Sequence, residues 1–131
     1  MAYRVYLVDD DRFLLDLYAV KFRDAGHEVS VFGSGEELLA ALKKSGAISP
    51  NVILLDLIMP GIGGFEVLET IRKENLAKGT KIIILSNLGQ DSDIERAKKL
   101  SADGYIIKAS AIPSEVLAET LRTVEAGSKT K

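Results

Sequence analysis

Val52-Ile53-Leu54-Leu55-Asp56, followed by Leu57-Ile58-Met59-Pro60-Gly61-Ile62-Gly63-Gly64, is the stretch that decides the fold. Four apolar, partly β-branched residues end at a single carboxylate, and the Pro and glycines beyond cannot continue regular structure. Such a run reads as a strand buried on both faces, with a loop at its carboxyl end. Two other segments share the form: Val5-Tyr6-Leu7-Val8 runs into Asp9-Asp10-Asp11, and Tyr105-Ile106-Ile107 runs into Lys108. If the three lie parallel in one sheet, their carboxyl ends meet on one edge, where open α/β folds place ligands. Carboxylates from two strands then face one ammonium, a set suited to holding a hard divalent cation beside an anionic group.

After the first strand, Leu14, Leu17, Tyr18, Phe22 and Ala25 recur at helical spacing, and Gly26 supplies a stop. Glu28 to Phe32 alternates as a second strand does, and Ser34 and Glu37 stand at capping-box spacing before Leu38, Leu39 and Leu42. Val67, Leu68 and Ile71 mark a third helix, Lys81 to Leu85 a fourth strand closing on Ser86, and Asp91 to Ser101 a fourth helix with a weak apolar stripe. That weak stripe predicts a mobile or partner-facing element. Pro113 suits the first turn of a last helix carrying Val116, Leu117, Leu121 and Val124 on one face. Strands alternating with helices over short connections imply a parallel sheet covered on both faces by right-handed crossovers. Residues 1–126 are expected to form one domain and residues 127–131 a frayed tail.

The totals narrow the function. A chain of 131 residues, 47% hydrophobic and 27% charged, fits one globular domain. A net charge of -2 gives no reason to expect direct nucleic-acid binding. No apolar run approaches the roughly 20 residues that span a bilayer, so no membrane partner is expected. The absence of cysteine removes disulfides, thiolate metal sites and thiol nucleophiles, and suits the reducing cytoplasm. His27, the one histidine, has no partner histidine or cysteine near it in sequence and is expected at the surface.

The chain as a whole resembles the response regulator receiver domain of bacterial two-component signalling. Four matches carry the resemblance: Asp9 and Asp10 after the first strand; Asp56 before Met59-Pro60 with Gly64 beyond; Ser86 ending the fourth strand; and Lys108 ending the fifth, preceded by Tyr105. It implies a flavodoxin-like, doubly wound (βα)5 fold with strand order 2-1-3-4-5, the order shared by flavodoxin and the chemotaxis regulator. It implies Mg2+ as cofactor, with Asp10 and Asp56 as direct ligands, Asp9 acting through water, and the main-chain carbonyl of Ile58 completing the set. It also implies Asp56 as phosphoacceptor, assisted by Ser86 and Lys108, with a sensor histidine kinase or histidine phosphotransfer protein as donor. Ser86 and Tyr105 would be the switch residues, passing the signal through the surface of helix four, strand five and helix five to an output protein. The domain would catalyse only its own phosphotransfer and dephosphorylation.

The residues support part of this without the family. Clustered carboxylates repel one another unless a proton or cation intervenes, and a carboxylate can attack phosphorus to give an acyl phosphate. Asp11 reads as a helix-capping residue rather than a ligand. The glycines at 61, 63 and 64 lack the lysine and spacing of a phosphate-binding loop and read as turn geometry. A haloacid-dehalogenase-type phosphatase would want an Asp where Ile58 stands, and three aspartates after strand one would repel a flavin phosphate. The remaining alternative is a pseudo-receiver that docks proteins without being phosphorylated.

Two positions depart from the family. Most receivers follow the strand-five lysine with a proline joined by a cis bond, whereas Ala109 follows Lys108. Since a cis bond before a non-proline residue costs about 2.5 to 4 kcal/mol, a trans bond and a rerouted loop are expected, with Ser110 supplying a replacement hydrogen bond. Asn87, larger than the small residue usual after Ser86, is expected to cover part of the phosphoryl site. In receivers the positions of Ile58 and Leu88 lie along the approach of the hydrolytic water, and here both are apolar and cannot orient it, which predicts slow loss of a phosphoryl group.

Overall fold

Every apolar run singled out above forms a strand. β1 (Arg4–Val8), β2 (Glu28–Phe32), β3 (Val52–Leu55), β4 (Lys81–Ser86) and β5 (Gly104–Ile107) make one sheet, each pair parallel, in the order β2-β1-β3-β4-β5. Between and after them lie α1 (Arg12–Asp24), α2 (Gly35–Lys43), α3 (Gly64–Lys73), α4 (Asp91–Lys99) and α5 (Pro113–Lys129). This is the doubly wound α/β architecture and strand order that the sequence led us to expect. The computed structural model describes residues 2–129, with side chains described through residue 126.

Alternation along the strands splits the core into two layers. Val8, Ile53, Leu55, Ile82 and Ile84 pack with Leu38, Val67, Leu68 and Ala97 from α2, α3 and α4. Val5, Leu7, Leu54, Ile83 and Leu85 pack with Leu15, Phe22, Val116 and Val124 from α1 and α5 on the other face. β3 is buried at all four positions, as a central parallel strand must be.

Helix ends follow local chemistry. Asp11 caps α1, its carboxylate accepting from Leu14 N–H at 3.2 Å. Ser34 Oγ accepts from Glu37 N–H at 3.1 Å, while the Glu37 carboxylate reaches Gly33 N–H at 3.3 Å, one residue earlier than a capping box requires. α5 continues past Gly127 to Lys129, three residues into the expected tail; positions 130 and 131 of that tail lie outside the described residues.

His27 is not a surface residue. It is 8% exposed, its Nδ1 accepts from Tyr3 N–H at 3.0 Å, and its ring stacks on that of Tyr3 at 5.5 Å. The pairing of β1 with β2 extends one residue outward, with Glu28 N–H donating to Tyr3 O at 2.9 Å, and this folds Tyr3 across the imidazole. Burial holds the His27 pKa below its ordinary value.

Candidate functional site

Register alone brings the site together. Val8, Leu55, Ile84 and Tyr105 form one row across four strands. Asp9 and Asp56 each stand one residue beyond that row, Ser86 two beyond it and Lys108 three beyond it, all at the carboxyl edge. Backbone bonds hold the carboxylates there: Asp9 N–H donates to Phe32 O at 3.1 Å and Asp56 N–H to Val8 O at 3.0 Å. Behind Asp56, α3 begins at Gly64 because nothing larger fits; a Cβ there would lie 2.2 Å from the Asp56 carbonyl oxygen.

The buried carboxylates are used alike. Asp9 Oδ1 accepts from Asp11 N–H at 2.9 Å and Asp56 Oδ1 from Leu57 N–H at 2.8 Å. Their other oxygens converge on the Lys108 ammonium, 2.5 Å from Asp9 Oδ2 and 3.2 Å from Asp56 Oδ2. Asp10 is exposed and completes the group: carboxylate oxygens of Asp9, Asp10 and Asp56 lie within 4.8 Å of one another. Three hard oxygen donors at that spacing fit a divalent cation such as Mg2+.

Burial sets the electrostatics. Removal from water, with the neighbouring Asp56 charge, raises the Asp9 pKa above the ordinary carboxylate value despite its bond to Lys108. Burial also works against the Lys108 ammonium, but the hydrogen bond to Asp9 and the charges of Asp56 and Asp9 outweigh it, so Lys108 holds its proton more tightly than usual. Removing either partner would strand a charge in a poorly solvated place. The cluster is therefore balanced only as a set.

Ser86 and Tyr105 meet at Leu88. Ser86 is 1% exposed and its Oγ accepts from Leu88 N–H at 3.3 Å, which leaves its own proton free to donate elsewhere. The half-buried Tyr105 donates from its hydroxyl to Leu88 O at 2.5 Å, and burial raises its pKa. Ile58 is 60% exposed at the rim.

The two unusual positions turn out to be partners. No cis peptide bond occurs among the described residues, so Lys108-Ala109 is trans, and Lys108–Ser110 forms a single 3-10 turn. The link across the loop is not made by Ser110. Ala109 N–H donates to Asn87 Oδ1 at 2.9 Å, so the Asn87 side chain is engaged with that loop. Each residue was visible in the sequence as an oddity, and their pairing was the signal missed.

Five parallel strands in this order, with carboxylates and an ammonium at one edge, define a doubly wound α/β module built around a charged corner. Comparison with known proteins agrees: the family model of the response regulator receiver domain matches residues 5–121. The DNA-binding response regulator MtrA of Mycobacterium tuberculosis is 30% identical over 118 residues, which are 90% of this chain and 49% of that protein. The chain thus spans about half the length of this relative. A CheY-like response regulator receiver domain protein from Methanospirillum hungatei superposes with a TM-score of 0.86 at 25% identity, over 100% of both chains. The response regulator TrrA of Thermotoga maritima, solved in complex with Mg2+-BeF, gives a TM-score of 0.75 at 30% identity over 95% of this chain and 99% of that one. The chain belongs to the response regulator receiver domain family of two-component signalling. Among the described residues, no helix is long and apolar enough to cross a membrane.

Proposed function

We propose that this domain accepts a phosphoryl group on Asp56 from a histidine kinase or histidine phosphotransfer protein and passes the signal to an output protein in the cytoplasm. The observation that carries the reading is the partly buried Lys108 ammonium held between Asp9 and Asp56 at the edge where all the strands end. An Asp56 carboxylate oxygen forms the new bond to phosphorus as the phosphorus–nitrogen bond of the donor histidine breaks. Lys108 offsets charge on the phosphoryl oxygens, and the Ser86 hydroxyl, its lone pair already engaged by Leu88 N–H, donates to one of them. Asp10 and Asp56, with the Ile58 carbonyl and Asp9 through water, would hold Mg2+. When bound, that ion supplies neutralising charge to the carboxylates and the phosphoryl oxygens.

Signal transmission follows from the modification itself. A phosphoryl group adds about -1.5 to -2 charges and three strong acceptors. Drawing Ser86 toward it pulls on Leu88, to which Tyr105 is also tied, and through Leu88 on the start of α4. Reversing a 1:99 population to 99:1 takes roughly 5.5 kcal/mol, within reach of a few charge-assisted hydrogen bonds at about 1.5 to 3 kcal/mol each. The exposed, apolar Ile58 supports a long-lived acyl phosphate, since it cannot orient an attacking water.

Intact mass after treatment with acetyl phosphate and Mg2+ is the test. One added phosphoryl group on the wild type and none on Asp56→Asn is expected. A folded wild type that gains no mass would leave phosphorylation-independent docking as the function.

A further inference from the structure

Asn87 follows the hydroxyl donor Ser86, and Ala109 follows the ammonium donor Lys108. Their 2.9 Å hydrogen bond therefore joins the two backbone segments that carry Ser86 and Lys108. It is possible only because position 109 keeps an N–H, which proline lacks, and position 87 carries an acceptor, which a small side chain lacks. Because the peptide unit is planar, fixing the Ala109 N–H fixes the plane that begins at the Lys108 carbonyl, and with it the last backbone torsion of Lys108. The backbone of this segment is a single 3-10 turn whose closing bond, Ala111 N–H to Lys108 O, is 3.3 Å long.

The anchor matters once chemistry begins. In the unmodified protein the Lys108 ammonium is located by Asp9 and Asp56 themselves. When Asp56 takes a phosphoryl group, the ammonium must follow a new oxygen, and a long, flexible lysine side chain has many rotamers to be restrained. The backbone origin then decides where the ammonium can reach.

We propose that Asn87 is a positioning residue for phosphoryl transfer: by accepting from Ala109 N–H it fixes the point from which Lys108 addresses the phosphoryl group, and holds it at constant spacing from Ser86. The proposal deepens the receiver reading and rests on it. The experiment measures the rate constant for phosphoryl gain, by intact mass with acetyl phosphate and Mg2+, in the wild type, Asn87→Ala, Lys108→Ala and the double variant. Asn87→Ala is expected to slow transfer about fivefold, the worth of one ordinary hydrogen bond. The double variant should be no slower than Lys108→Ala, because Asn87 acts through that ammonium. The melting temperature of Asn87→Ala should match the wild type, since the residue is exposed. Equal rates in the wild type and Asn87→Ala overturn the proposal while leaving the receiver reading intact, and so does the same fivefold slowing by Asn87→Ala whether or not Lys108 is present. A wild type that gains no phosphoryl group at all overturns the receiver reading itself.

Discussion

α1 and α4 are both short helices on the same sheet, yet they are attached by different forces. α1 buries Leu15, Tyr18, Ala19 and Phe22, with Phe22 wholly excluded from solvent. α4 buries Ala97 alone. What holds α4 is largely polar. Arg72 of α3 donates from Nε to Leu100 O at 3.0 Å and from Nη2 to Ser101 O at 2.7 Å, while Arg96 pairs with Glu69 at 3.3 Å and lies over the Phe65 ring at 4.3 Å. Apolar burial must be surrendered when a helix moves, whereas polar attachments can be exchanged for water or for one another. The helix that Asp11 starts, beside Asp9, is thus set in the core, and the helix that follows the Leu88 loop is held mainly by exchangeable polar contacts.

The strongest way to break this contrast is truncation. Phe22→Ala should cost about 3 to 5 kcal/mol in a urea melt, through lost burial and a cavity. Ile94→Ala on α4 should cost less than about 1 kcal/mol. Equal losses would mean that α4 is as firmly cored as α1.

Arg72→Ala tests the polar attachment of α4 directly, at lower amplitude. Losing two hydrogen bonds from a half-exposed guanidinium should cost roughly 1 to 2 kcal/mol. The loss should show as faster amide exchange across α4 with α1 unchanged. Exchange that rises equally in both helices would deny α4 any local freedom.

The smallest effect is acidic. His27 packs against Phe22 of α1 and is neutral in the fold, accepting from Tyr3 N–H. Its pKa is depressed from 6.5, so the unfolded chain binds the extra proton first, and its contribution is complete above pH 6.5 and fades as pH falls below it. His27→Asn keeps an acceptor without a titrating ring. The stability gap between wild type and variant should narrow as pH drops from 7 toward 5, and a constant gap would show that His27 does not titrate against the fold.

The strands were legible because a parallel sheet needs continuous apolar runs, and those of Val5–Val8 and Val52–Leu55 end at charges that mark its functional edge. Their lateral order came from family resemblance, since periodicity cannot say which strand lies beside which. Asp9, Asp56 and Lys108 were legible as a set because each ends such a run. His27 was misread because its burial depends on Tyr3, 24 residues away, folding over it. The Arg72 tether spans 28 residues to Leu100, and an arginine in a helix's last turn looks like ordinary dipole complementation. Contacts of this kind have no local signature.

Leu88 presents its amide to one hydroxyl and its carbonyl to another, so a single residue's main chain is shared by Ser86 and Tyr105. The consequence is spectroscopic. With four tyrosines and no tryptophan in the chain, a fluorine label on the phenol of Tyr105 would sense the strength of its bond to that carbonyl. Its resonance would report, from outside the acidic corner, what the serine is doing within it.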